Sequence, residues 1–111
     1  MAIERLAAEG ASPDAKSGGY PAVYIAAAKG HVRAVSALVR LGADLDARDD
    51  KYGWTALMAA AIYGQAECAR ALLAGGADRT LRATGGKHEG KNALEIAKSA
   101  GKAKVAALLR E

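Results

Sequence analysis

A short glycine-led signature recurs three times along the chain in one frame, as Gly19-Tyr20-Pro21-Ala22-Val23, Gly53-Trp54-Thr55-Ala56-Leu57 and Gly90-Lys91-Asn92-Ala93-Leu94. The copies are spaced by 34 and 37 residues. Eleven residues after each of these glycines stands another, Gly30, Gly64 and Gly101, and the first two frames run on to Gly42-Ala43-Asp44 and Gly76-Ala77-Asp78. A period in the thirties is that of a stacked repeat. One such unit cannot bury its apolar face alone, so neighbours must shield one another. The glycines divide each unit into a helix, a turn and a second helix.

Within that frame, Ala22 to Lys29 reads as one short helix, Gly30-His31 as a turn, and Val32, Val35, Leu38 and Val39 as the buried stripe of the next. The second unit repeats this, with Thr55 as N-cap for Ala56 to Tyr63, Gly64 as the stop, and Leu72-Leu73 facing the core. Asn92 caps the third pair, which carries Leu94, Ile96 and Ala97 and then Val105, Leu108 and Leu109. Phenylalanine is absent from the 111 residues although 51% are hydrophobic. A core of small aliphatic side chains suits helices stacked at short distance. Residues 2–16, with Ile3 and Leu6 at helical spacing, are expected to form an N-terminal half repeat covering the open edge. The chain then divides into repeats at 17–48 and 49–83, followed by 84–111 as a long finger with a terminal repeat. All 111 residues read as one domain. Arg79 to Lys91 is longer than its counterpart before Gly53, and Thr84-Gly85-Gly86 predicts an extended, mobile finger there.

These residues resemble the ankyrin repeat, whose pattern runs Gly-x-Thr-Pro-Leu-His, Ala-Ala, Gly-His, Leu-Leu, Gly-Ala-Asp. The match spans about residues 2–110. It is best in Gly53 to Leu57, Ala59-Ala60, Gly64, Leu72-Leu73 and Gly76-Ala77-Asp78, with Ala26-Ala27 and Gly30-His31 supporting the first frame. The resemblance implies an all-α solenoid of helix-turn-helix pairs with β-turn or hairpin fingers. The cap tetrapeptides depart from the pattern, reading Pro21-Ala22-Val23-Tyr24, Thr55-Ala56-Leu57-Met58 and Asn92-Ala93-Leu94-Glu95, and none keeps the family's His. Pro21 has no side-chain acceptor, so the first repeat is expected to be less firmly anchored, by about 1 kcal/mol.

The resemblance also implies a module that binds a protein partner on a concave surface of fingers and first helices. All five aromatic residues, Tyr20, Tyr24, Tyr52, Trp54 and Tyr63, fall in fingers or first helices. Rigid aromatic side chains dominate binding hot spots. The binding centre is placed on Tyr52, Trp54, Met58, Ile62 and Tyr63, flanked by Tyr20 and Lys29 on one side and His88, Glu89 and Lys91 on the other. Trp54 alone reads equally well as a brace for the adjoining turn.

Chemistry is weighed against the same frame. Gly85 to Lys91 fits Gly-x-x-x-x-Gly-Lys, but Asn92 stands where a phosphate loop needs Ser or Thr, and residues 80–84 are too polar for the buried strand that should precede it. Asp44, Asp46, Asp49 and Asp50 invite calcium, yet the loop glycine and distal Glu are missing, and Asp49 or Asp50 can close the finger through backbone bonds. One cysteine, Cys68, and two histidines, His31 and His88, make no zinc set. Cys68 reads as a small core residue. No Ser, His and Asp share a catalytic context, so the reading is not an enzyme and needs no cofactor or metal. The formal charge is +4, and residues 79–111 hold eight Lys or Arg against three Glu. That end could favour acidic partners, or single-stranded nucleic acid stacked on Tyr52 and Trp54, although no reading motif appears. The remaining alternative is a structural or engineered scaffold without its own partner. The expected state is a monomer, with self-association through the C-terminal end as the other option. No apolar run reaches the roughly 20 residues of a membrane span, and no secretion segment leads the chain, which suggests a cytoplasmic protein.

Overall fold

The computed structural model describes residues 13–111. A two-residue antiparallel pair, β1 (Lys16–Ser17) and β2 (Tyr20–Pro21), leads into α1 (Ala22–Lys29) and α2 (Val32–Arg40). Two more helix pairs follow, α3 (Ala56–Tyr63) with α4 (Ala66–Ala74), and α5 (Ala93–Ser99) with α6 (Ala103–Arg110). The first helices α1, α3 and α5 pack side by side in one layer, and the second helices α2, α4 and α6 do so in the other. The expected half repeat at 2–16 lies mostly outside the described residues.

Local chemistry explains where the helices begin and end. The Thr55 hydroxyl accepts from the Met58 amide at 3.4 Å and starts α3. Asn92 and Glu95 form a reciprocal capping box at α5. Asn92 Oδ1 accepts from the Glu95 amide at 2.9 Å, and Glu95 Oε1 accepts from the Asn92 amide at 3.1 Å. Pro21 opens α1 with no side-chain cap. Gly64 closes α3 at φ +69, a left-handed conformation that glycine adopts without the clash of a Cβ.

Helix α3 is buried on nearly every side, because α1 flanks it on one side, α5 on the other, and α4 beneath. Its run Ala59-Ala60-Ala61 is fully buried, and these small side chains let the layers close up. Leu38, Leu57, Leu72 and Ile96 are large, fully buried aliphatics. Burying each contributes about 1.5–3 kcal/mol, which offsets the poor intrinsic stability of helices only seven to nine residues long. Cys68 is 1% exposed in this core.

Polar rungs at about one repeat's separation tie neighbours together. Asp14 Oδ1 accepts from the Asp44 amide at 2.7 Å, and Asp46 Oδ1 accepts from the Asp78 amide at 2.8 Å. The Asp50 amide donates to the Gly19 carbonyl, and the Thr84 amide to the Tyr52 carbonyl. Arg48 Nη1 donates to the carbonyls of Gly53 and Arg82, and Gln65 Nε2 to that of Ala28. The Gly-Ala-Asp turns are therefore joints between repeats as well as bends within them.

The long segment Arg79 to Lys91 is not the free finger that its glycines predict. The Ala83 amide donates to the Lys91 carbonyl at 3.0 Å, and the Gly90 amide donates back to Ala83 at 2.8 Å. The Thr84 and Gly85 amides both donate to the Tyr52 carbonyl at 3.1 Å. Ala83 and His88 are buried, at 3% and 7% exposure. The glycines let this loop fold back on its neighbour, and its backbone groups are paired there.

Candidate partner-binding face

The fingers and the first-helix layer bring most of the aromatic residues together in two groups. At the first repeat, Tyr20 closes the β-pair and Tyr24 sits one helical turn later, so their rings meet with centroids 5.1 Å apart at 35°. Tyr63 stands in the last turn of the adjoining α3 and is 57% exposed. The Tyr24 phenol is pushed well above its usual range, by burial first and then by Asp49, Tyr63 and Tyr20. It stays protonated throughout the neutral range.

The second group lies between the second and third fingers. Tyr52 and Trp54 are 6.2 Å apart, and Trp54 and His88 5.7 Å apart, between ring centroids. Lys51 Nζ sits 5.1 Å above the Tyr52 ring. The Asp49 carboxylate shapes this turn from below, accepting from the amides of Lys51, Tyr52 and Trp54 at 3.0, 3.0 and 2.6 Å. Trp54 Nε1 and His88 Nδ1 are both buried without a hydrogen-bond partner. Burial, then Lys91 and Lys87, lowers the His88 pKa below the ordinary histidine value.

Two of the expected contact residues are therefore displaced from the surface. Met58 is 1% exposed and belongs to the core, because α3 is covered by α1, α5 and α4. His88 lies beneath Trp54, because the long finger folds back. Trp54 and Ile62 are half-buried and pack against the core. Tyr52, Tyr63, Lys29 and Glu89 are exposed, and Tyr20 and Lys91 are half-exposed. Lys91 Nζ donates to the Ser99 hydroxyl at 3.0 Å, lying along α5. Sequence reasoning missed Glu95, which receives Arg82 Nη1 at 2.8 Å as well as capping its helix. The Asn-x-x-Glu spacing was the available signal. The backbone bond to Asn92 lowers the Glu95 pKa most; desolvation opposes it, and Arg82 and Lys91 add to the lowering.

The acidic run is occupied with backbone. Asp44 and Asp46 accept the amides of Asp46 and Asp78, and Asp49 closes its finger, so these oxygens serve turns and joints. Among the described residues, no three His, Cys, Asp or Glu side chains gather as a metal site. No described helix is long and apolar enough to cross a membrane.

The paired-helix layers with finger turns are matched by a family model for ankyrin repeats in three copies, which covers residues 1–83 and 41–111. The chain belongs to the ankyrin-repeat family. Ankyrin-repeat relatives include the mouse (Mus musculus) ankyrin repeat and SAM domain-containing protein 6, 45% identical over 64 residues, which is 58% of this chain and 7% of that protein. Mouse protein phosphatase 1 regulatory subunit 12A is 44% identical over 59 residues, 53% of this chain and 6% of that one. The ankyrin repeat protein nuc-2 of Neurospora crassa is 39% identical over 80 residues, 71% of this chain and 8% of that one. The chain thus spans less than a tenth of the length of each of these relatives. As an ankyrin-repeat domain it is of a class that generally serves protein interaction.

Proposed function

We propose that this chain is a non-catalytic interaction module whose protein partner docks on the fingers and first-helix layer. The observation that carries the reading is Tyr63, a large aromatic left 57% exposed at the end of a helix that is otherwise almost wholly buried. An exposed tyrosine offers rigid contact area at low entropy cost. Tyr20 and Tyr52, with Lys29, Glu89 and Lys91 at the margins, extend the same side of the stack. Trp54 and Ile62 support it from beneath. Both histidines serve the fold: His88 packs on Trp54, and His31 stands at the turn that opens α2.

The test is position-specific photocrosslinking. A photoreactive benzoyl group placed at residue 63 should label a bound protein in cell extract, whereas the same group at Arg70, exposed on α4, should not. Labelling at 70 alone, or equally at both, would overturn the assignment of the face. Tyr63→Ala should reduce capture while leaving the melting temperature nearly unchanged.

A further inference from the structure

The long finger closes over Trp54 at the expense of two polar atoms. Trp54 Nε1 and His88 Nδ1 are both buried, and neither has a hydrogen-bond partner. Water would satisfy both, and the closed finger keeps it out. The tip is held down by packing and by a few backbone bonds. His88 lies 5.7 Å from Trp54 between ring centroids, Gly86 sits so close to Tyr52 that a Cβ would come within 2.8 Å of its ring, and the Thr84 and Gly85 amides share the Tyr52 carbonyl. The base is fixed separately. Arg82 forms an isolated antiparallel bridge with Asn92, and its Nη1 donates to the Gly90 carbonyl at 2.6 Å and to Glu95 at 2.8 Å. Gly86 at φ +78 and Gly90 at φ +80 stand on either side of His88, and glycine changes conformation there at little steric cost.

We infer that the tip of the long finger, residues 84–89, is an acid-released cover: protonation of His88 expels it from Trp54, while its base and the helices stay in place. Protonation adds a charge to a ring that is only 7% exposed. Whichever nitrogen carries the proton of the neutral ring, the charged ring donates from both, and Nδ1 has no acceptor to meet. The indole Nε1 can only donate, so it offers no help. Burial opposes the charge most, and Lys91 and Lys87 on the same finger oppose it further. The carboxylates nearby are committed: Asp49 in the second finger to the amides of Lys51, Tyr52 and Trp54, and Glu95 at the base to Asn92 and Arg82. Glu89 is exposed, and Lys51 lies over Tyr52. The Trp54 face is the one group that favours a charged ring. Once the tip lifts, the imidazolium and the indole N–H both reach water, so the open form satisfies the two atoms that the closed form leaves unpaired. The sign follows from the neutral ring being the buried form. Its pKa when closed lies below the ordinary value near 6.5 that the lifted ring recovers. Opening therefore begins as the pH falls below about 6.5, and grows by up to about tenfold per pH unit until the closed-form value is passed.

The experiment follows the whole chain from about pH 7.5 to about 4.5, well below its melting temperature, by amide hydrogen exchange and by acrylamide quenching of Trp54, its only tryptophan. After correction for the intrinsic pH dependence of exchange, protection of the Thr84 and Gly85 amides should fall about tenfold or more, and quenching should rise. The Gln65 and Ala77 amides, bonded to Ala60 and Leu72, should keep their protection. His88→Phe leaves a ring on Trp54 and removes the titration, so both readouts should become flat. Equal loss at Gln65 and Ala77 would mean global unfolding and would overturn the inference. So would readouts that stay constant in the wild type, as they would if the indole held the charged ring in place, or that change alike in His88→Phe. If His88→Phe does not fold, the wild type decides: a loss at Thr84 and Gly85 that does not track the NMR titration of the His88 ring overturns the inference, and one that tracks it supports the release.

Discussion

The second and third fingers begin with the same bond and are completed by different means. In the shorter one the Asp49 amide donates to the Trp54 carbonyl, and in the longer one the Ala83 amide donates to the Lys91 carbonyl. Across the shorter turn a single carboxylate, Asp49, collects three amides. At the corresponding place in the longer turn stands Ala83, whose side chain has no acceptor to offer. That turn is held instead by burying His88 on Trp54 and by lending amides to the Tyr52 carbonyl. One finger is organised by charge and the other by packing. The second solution depends on the first, because the surface that the long finger covers is the one that Asp49 holds in shape.

That dependence makes Asp49→Ala the most damaging change. It removes a nearly buried acceptor of three amides, which should cost about 3 kcal/mol in urea unfolding, and Asp49→Asn should recover part of it. A loss below about 1 kcal/mol would show that the fingers stand independently.

His88→Ala comes next, at about 2 kcal/mol for opening a hole under Trp54, with the tryptophan emission moving to longer wavelength. This site also has a pH signature. The folded-state pKa of His88 lies below its unfolded value near 6.5, so the neutral ring is the stabilising form. Its contribution is therefore complete above about pH 6.5 and is lost progressively as the pH falls toward and past the folded value. Substituting His88 by Gln should flatten that acid-side decline, and an unchanged slope would mean that other groups govern it.

Gly86→Ala should be milder, about 1–2 kcal/mol. Gly86 is left-handed at φ +78, and a Cβ there would come within 2.8 Å of the Tyr52 ring. If Gly86→Ala instead stabilised the protein, the long finger would not rest on Tyr52. The smallest effect belongs to Lys16→Ala. Its exposed pair with Asp50 joins the first and second fingers, and its loss should cost less than about 0.5 kcal/mol and vanish in high salt.

The stacked-pair fold was legible because glycine spacing and caps are local chemistry. Thr55, Asn92 and Gly64 do at the helix ends what their side chains, or the lack of one, dictate. Asp49 was legible as a turn-closing acceptor for the same reason. The long finger was misread, because Thr84-Gly85-Gly86 reports only what the backbone permits. Whether the loop stays open is decided by Tyr52 and Trp54, some thirty residues away in sequence. Met58 was misplaced by a related error. The frame located it on the first helix, but α3 is apolar all round, so its pattern does not mark which face stays open. Of Ile62 and Tyr63, both placed in the binding centre, Tyr63 is exposed whereas Ile62 is half-buried and packs against the core.

The rungs that cross from one helix pair to the next give the middle pair an unequal share of responsibility. It reaches back through Gln65 to Ala28 and is itself gripped by Arg48, whose guanidinium spans Gly53 and Arg82. A lesion in an outer pair leaves its neighbour one intact border. A lesion around Gly53 or Gln65 strips both borders together, so the molecule should fray gradually from its ends but collapse as a whole when struck at its centre.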